Sequence, residues 1–302
     1  MAKRVQSPSS INVYKQCPRK YFYQYVMRLK TAPSIHTVRG NIVHSVMEDF
    51  FDLDLSGLTL ADCKKVFNDK MITLLVHHWQ AKQEELETLD LSEEEFQFYF
   101  EESHLMLVNY VNKFCAKLAE YPSDDLATCF GALTPIREKH YKNDDLSVQG
   151  YIDAIEETDG YVRVMDYKTS KRFHLSDEYK LQLGIYALLY KEEHGEFPHQ
   201  VGIYFLKDTG KHEHVLEVTD EMVEEARAEV EIIHMNTESE TIRDYPKKEG
   251  PLCKWRTGQC DFYDVCFGQK TIDSYEQKDP APHVLPAEKN TAEPSPSHSQ
   301  PL

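Results

Sequence analysis

The segment IDAIEETDGYVRVMDYKTS, residues 152–170, constrains the fold more than any other stretch of this chain. Asp159-Gly160 is a two-residue hairpin turn pair, because the favoured hairpin turns need positive φ at their central positions. Apolar arms flank it, so the segment reads as two antiparallel strands. A two-residue loop sets the register and puts Asp153 directly across from Asp166. Directly opposed residues share a face, with Cβ atoms ~5 Å apart. Lys168, two residues beyond Asp166, points the same way. Two carboxylates at that spacing repel unless a cation lies between them. Lys168 supplies part of that charge. A divalent metal supplies it better, since hard cations such as Mg²⁺ are held by a few carboxylates plus water. Ile152, Ile155, Val164 and Met165 flank the cluster and argue for enclosure.

The surroundings of this hairpin read as a mixed α/β sheet flanked by helices. IREKHYK, from residue 136, is a strand ahead of it, and Glu138 on that strand is a further candidate for the acidic cluster. SDEYKLQLGIYALLYKEEHG follows as a helix, with Ser176 or Asp177 as cap and Gly195 as stop. VGIYFLK and HEHVLEV then suggest a second hairpin, and residues 219–236 an acidic helix. Strands, helix and strands in this order imply one sheet with helices packed on it. Upstream, residues 7–25 carry a serine cap and helical apolar spacing, and NIVHSVMEDFF is a second helix. Residues 51–133 read as a helical insertion, with two helices across 61–120 joined by the acidic stretch EELETLDLSEEE. The expected divisions are therefore 1–50, 51–133, a core at 134–245, a cysteine-bearing segment at 246–270 and a disordered tail at 271–302. That tail holds six of the chain's 14 prolines.

Charge is distributed unevenly. The net charge of −17 argues against a nucleic-acid binder, yet residues 1–47 contain eight Lys/Arg and no Asp or Glu. A local polyanion-binding surface on an acidic body is the expectation. No run of about 18 apolar residues is present, so no membrane span is expected. The basic N-terminus is not followed by an apolar stretch, so a secretory leader is not expected and a cytoplasmic setting is. In that setting the seven cysteines suggest thiols or metal ligands before disulfides.

GYIDAI followed by VMDYKTS resembles the core of the PD-(D/E)XK nucleases. The nearest branch is the RecB-like one, with the CRISPR-associated RecB-like exonucleases, the nuclease domain of AddB and related phage exonucleases. Four further pieces fall in that branch's order: CPRKYFYQYV, RGNIVHSVMEDF, LQLGIYALLY and CKWRTGQCDFYDVC. The resemblance implies a restriction-endonuclease-like α/β fold with a helical insertion and a cysteine-cluster subdomain. It implies that His44, Asp153 and Asp166 ligate Mg²⁺ or Mn²⁺, with the Tyr167 backbone carbonyl as a further ligand. Lys168 would orient or help deprotonate the attacking water, and Gln182 and Tyr186, four apart on one helical face, would line the site. Glu48, one turn beyond His44, is either a supporting or a structural residue.

By the same resemblance Cys17, Cys253, Cys260 and Cys266 hold a [4Fe–4S] cluster. Four thiolates equally suit Zn²⁺, and six residues rather than the usual two separate the first C-terminal pair. Such a site would staple the chain ends and hold Arg19, Lys20, Lys254 and Arg256 on one DNA-binding surface. Arg39 joins them, and Tyr21, Tyr23 and Tyr25 are either stacking platforms for a single strand or core residues. Cys63, Cys115 and Cys129 read as buried thiols. The activity implied is metal-dependent DNA hydrolysis, most simply exonucleolytic on single strands or duplex ends. It belongs with recombination, repair, replication or CRISPR-type processing; the alternatives are a silent DNA-binding module and an endonuclease. No G-x-x-x-x-G-K-[ST] loop is present, so unwinding would come from a helicase or a recombination or CRISPR partner.

Overall fold

The predicted hairpin is the centre of the sheet. In the computed structural model, which describes residues 3–278 apart from 172, 212 and 257, β1 is Ile136–Asn143, β2 Val148–Thr158 and β3 Tyr161–Lys168. Asp159 and Gly160 both take positive φ, 51° and 77°, as the short turn requires. Ala154 pairs with Met165 and Thr158 with Tyr161, which is the register read from the sequence. β4 (Gln200–Phe205) lies parallel to β3, and β5 (Glu213–Glu217) lies antiparallel to β4. The five strands form one mixed sheet in chain order.

Helices cover both faces. The α1 helix is Pro8–Gln16, capped by Ser7; α2 is Pro18–Tyr21, followed by a π-helical turn at Phe22–Val26. α3 is Ile35–Phe50, α4 Cys63–Ala81, α5 Gln83–Glu87, α6 Glu93–Glu120 and α7 Leu126–Leu133. α3 to α7 bury their apolar faces with Ala154, Met165, Tyr167 and Tyr204 on one side of the sheet. On the other side α8 (Asp177–His194) and α9 (Asp220–Asn236) pack with Val148, Ile152, Val164, Val201 and Ile203. Ser176 caps α8 and Gly195 ends it with φ 79°, as expected.

Three expectations change. The helix predicted across residues 7–25 breaks at Cys17, which is extended (φ −161°, ψ 111°). Pro18 is the cause, because its ring disfavours the α conformation in the preceding residue. Across residues 61–120 the two expected helices are α4 and α6, but a short α5 also lies between them and α7 follows. The segment from Thr271 is not structureless at its start: a 3₁₀ turn covers Ile272–Ser274, and Gln277 bridges to Leu29. The rest of the predicted tail, 279–302, lies outside the described residues. A third small cluster joins Tyr21, Phe22, Tyr23 and Leu29 to Tyr245 and Phe262, so the two ends of the chain meet around buried aromatics. A two-stranded ribbon, β6 (Lys254–Trp255) with β7 (Gly258–Gln259), and a short α10 (Tyr263–Cys266) complete this end.

Candidate active site

Regular sheet geometry fails at one rung, and the acidic residues sit there. The β1–β2 pairs Arg137↔Ala154 and Lys139↔Ile152 bracket Glu138 and Asp153, which face each other without pairing. Glu138 has φ 46°, a left-handed conformation rare for a side chain of this kind. On β2, Val148 and Ile152 pack under α8, but so does Ile155, while Ala154 packs on the opposite face. A strand alternates strictly, so the alternation slips at Asp153. Both strands carry an extra residue at the same rung, which preserves the register while re-aiming the two carboxylates. Continued through the β2–β3 register, the row runs Glu138, Asp153, Asp166 across three neighbouring strands.

Asp153 also ends the β2–β3 ladder. Its Oδ2 accepts the Tyr167 backbone N–H at 2.6 Å. His44, on α3, brings Nε2 to 3.1 Å from the Tyr167 carbonyl, and Nδ1 to 3.4 Å from Asp153 and 3.9 Å from Glu138. When Nε2–H donates to that carbonyl, the Nδ1 lone pair faces the two carboxylates, which is the tautomer of a metal ligand. His44, Glu138 and Asp153 each offer a ligand atom, all within 4.8 Å of one another. One nitrogen and carboxylate oxygens suit Mg²⁺ or Mn²⁺. Burial alone would lower the His44 pKa. The Asp153 and Glu138 carboxylates, with Asp166, outweigh it and raise it to about 10. Positive charge is therefore wanted at this point, whether proton or metal.

Asp166 belongs to the same row but is held differently. Gln182 Nε2 donates to its Oδ1 at 2.8 Å, Tyr186 Oη reaches the same oxygen at 3.4 Å, and Lys168 Nζ lies 2.6 Å from Oδ2. Gln182 also donates to Tyr186 at 2.8 Å. The Gln182–Tyr186 pair thus positions the Asp166 carboxylate. Burial raises the Asp166 pKa against the pull of Lys168. For Lys168, burial pulls downward, but Asp166 outweighs it and the amine is held as an ammonium. The lysine tethers Asp166 Oδ2, and Glu138 rather than Asp166 joins His44 and Asp153 in the tight ligand group. The role of Glu138 was only partly readable, because nothing in IREKHYK announces a left-handed residue.

An open groove of about 410 Å³ leads to these groups. His36, Gly40, His44 and Glu48, spaced by four along α3, form its floor.

The four cysteines of the expected cluster line a single cavity of about 340 Å³ between the chain ends, with Lys20 and Trp255. Among the described residues no three of these thiols lie within 4.8 Å of one another. Cys63 and Cys129 are buried as expected, and Cys115 is half-buried with its sulfur 3.5 Å from that of Cys63.

The predicted DNA-contact residues fare unevenly. Lys254 and Arg256 are exposed beside the cysteines. Arg19 donates to the Tyr245 carbonyl at 2.7 Å. Arg39 is not a surface residue: it is 2 % exposed, pairs with Glu102 and reaches the Thr169 carbonyl. Tyr21 and Tyr23 are buried in the aromatic cluster and offer no stacking face. Within the basic N-terminal segment Arg4, Lys15 and Lys30 meet Glu240, Glu229 and Glu276. The acidic remainder supplies these partners, so part of the segment's charge is neutralised within the molecule. No described helix is long and apolar enough to cross a membrane.

Known proteins resemble the chain over most of its length. The Gene 69 protein of Mycobacterium phage D29 is 29% identical over 217 residues, 67% of this chain and 74% of that protein. One polypeptide of the ATP-dependent helicase/deoxyribonuclease of Clostridium perfringens SM101 is 27% identical over 206 residues. That stretch is 60% of this chain but only 17% of the Clostridium polypeptide. A crystal structure from Eubacterium rectale, provisionally named an exonuclease, covers 92% of this chain and is 90% covered, at 12% identity and TM-score 0.47. A model of the PD-(D/E)XK nuclease superfamily matches residues 6–267, which take in the whole sheet and both cysteine-bearing ends, and the chain belongs to that superfamily.

Proposed function

We propose that the chain is a metal-dependent deoxyribonuclease that degrades single-stranded DNA or duplex ends from a terminus. The observation that carries this reading is the carboxylate row Glu138–Asp153–Asp166, closed by His44 on one side and Lys168 on the other. His44, Glu138 and Asp153 would hold Mg²⁺ or Mn²⁺, with Asp166 completing the shell when Lys168 releases it. A bound ion would supply Lewis acidity toward the phosphate and lower the pKa of a coordinated water. The protein's own residues do the rest. Gln182 and Tyr186 fix the Asp166 carboxylate, Tyr167 fixes the imidazole and Asp153 together, and Lys168, held as an ammonium, neutralises charge that builds on the phosphate oxygens. The intact set argues against a silent DNA-binding module.

The cysteine cavity supports a bound cluster. A single zinc ion, with Zn–S bonds of about 2.3 Å, draws its sulfurs within ~4 Å of one another. No three of the thiols here lie that close, and all four line a cavity of about 340 Å³, which supports a [4Fe–4S] group bound by Cys17, Cys253, Cys260 and Cys266. Its role would be to staple the chain ends. Lys20, Lys254 and Arg256 beside it would meet DNA. The name of the Clostridium relative supports a helicase partner that delivers single strands, in recombination, repair or CRISPR-type processing.

The test is cleavage of end-labelled linear and closed circular single-stranded DNA with Mg²⁺ or Mn²⁺, for wild type and Asp166→Ala. Degradation of linear strands only, lost in the variant, is the expected result. Cutting of circles would make the protein an endonuclease; binding without cleavage would make it a DNA-binding module.

A further inference from the structure

Beyond the catalytic row, His36 in the α3 groove neighbours a concentration of cations with too little negative charge to match. Glu102, on α6, is met by three of them. Arg39 from α3 pairs with it, Lys207 Nζ lies 2.7 Å from its Oε2, and Lys171 Nζ 3.7 Å from its Oε1. One carboxylate against three cations leaves two positive charges over. Burial lowers the pKa of Lys207 against its hydrogen bond to Glu102, and burial followed by Arg39 lowers that of the neighbouring His36. Arg39 keeps a buried Nε without a hydrogen-bond partner although the residue is 2 % exposed. Natural structures rarely leave such a group and such a charge imbalance uncompensated.

The position of this cluster matters. Arg39 touches the Thr169 carbonyl at 3.3 Å, and Thr169 directly follows Lys168 in the chain. His36 lies at one end of the α3 groove and His44 is eight residues farther along it, ~12 Å along a helix. Aromatic rings stand beside the cations. The Arg39 guanidinium lies 5.4 Å from the Tyr99 ring centroid, and Lys171 Nζ 5.6 Å from that of Phe98, which is 50% exposed. Cationic groups next to an exposed ring are the composition of a site for a single strand, one taking the phosphate and the other a base face.

We propose that Lys171, Lys207 and His36 form a backbone-phosphate subsite for the substrate strand, adjoining the catalytic groups, with Phe98 stacking the neighbouring base. Glu102 and the buried Arg39 serve as its scaffold. This rests on the deoxyribonuclease reading and adds what it lacks: a strand path along α3, from His36 toward His44, that enlists the helical insertion in substrate binding. Lys171 is the working cation, because its side chain is 69% exposed and its tie to Glu102 is the longest of the three. Surface ion pairs of this kind are worth little and are readily exchanged for a phosphate.

The experiment measures anisotropy of a labelled single-stranded oligonucleotide against salt, without divalent metal, and cleavage kinetics with Mg²⁺. Variants are Lys171→Ala, Lys171→Arg and Phe98→Ala, all at exposed positions. For Lys171→Ala, KM should rise about 5- to 10-fold with kcat within about twofold. The slope of log K against log salt should shrink by about 0.7, the value for one phosphate contact on a single strand. Lys171→Arg should restore both, and Phe98→Ala should weaken binding with no change of slope. An unchanged slope in Lys171→Ala, with wild-type cleavage intact, overturns the subsite alone. Wild type that binds with the expected slopes but does not cleave overturns the nuclease reading and leaves the subsite standing. Wild type that does not bind DNA overturns both.

Discussion

Asp153 stands in for a rung of the sheet: its Oδ2 takes the Tyr167 N–H at 2.6 Å, one step beyond the last β2–β3 pair, Ala154↔Met165. One side chain thus carries both structure and chemistry, and two substitutions separate them. Asp153→Asn keeps an acceptor for the N–H while removing the charge, so the protein should melt within about 1 kcal/mol of wild type and lose nearly all cleavage. Asp153→Ala leaves the buried N–H unsatisfied, at about 1–3 kcal/mol. Denaturant titration beside the cleavage assay checks both. Equal stability of the two variants would mean that the Tyr167 N–H finds another partner.

Gln182 and Tyr186 both reach Asp166 Oδ1, but not equally. Gln182 donates at 2.8 Å and Tyr186 sits at 3.4 Å. Gln182→Ala should cost about 10- to 100-fold in activity or metal affinity, the usual toll for a residue that orients a ligand. Tyr186→Phe should cost clearly less, because Gln182 still holds the carboxylate. Isothermal titration with Mn²⁺ and single-turnover kinetics would show the order; a larger loss in Tyr186→Phe would reverse the assignment.

The hairpin and its register were legible because a two-residue Asp-Gly turn leaves one pairing. The bulge was also written in the sequence, though faintly: Ile152 and Ile155 are three apart, a spacing that no regular strand buries on one face. The same logic reached His44 only through resemblance, since nothing in an apolar helix marks one histidine as facing carboxylates. Partners distant in sequence were not legible at all. Arg39 looked like a free cation because Glu102, its partner, lies on a helix 63 residues away. For Tyr21 and Tyr23 the stacking and core readings stayed open because Tyr245 and Phe262, which cover them, come from the other end of the chain.

The cysteine cavity makes a spectroscopic prediction. Anaerobically purified wild type should show broad visible absorption in the blue, and Cys17→Ser or Cys266→Ser should remove it together with part of the thermal stability. The aromatic cluster of Tyr21, Phe22, Tyr245 and Phe262 has a buried centre of its own, with Cys260 and Cys266 packed only against its edge. The cysteine variants should therefore still fold, with a lowered Tm. A colourless protein containing stoichiometric zinc would replace the cluster by a single ion. Full stability in Cys17→Ser would remove the staple.

Glu213 predicts the acid limb of the stability curve. Its carboxylate meets Arg163 at 2.7 Å and Lys117 at 3.0 Å, at the interface of β5, β3 and α6. Burial pushes its pKa up, but Lys117 and Arg163 outweigh that and bring it from 4.5 to about 2. A depressed folded-state pKa means that the unfolded chain takes up the proton first. The stabilisation is therefore complete above about pH 4.5 and lost as pH falls toward 2. Glu213→Gln should lower stability by about 1–3 kcal/mol at pH 7, the worth of hydrogen bonds to charged groups. It should also flatten the fall between pH 4.5 and 2. Urea melts of both proteins across that range decide it: parallel curves would show that Glu213 is not the group whose protonation loosens the sheet.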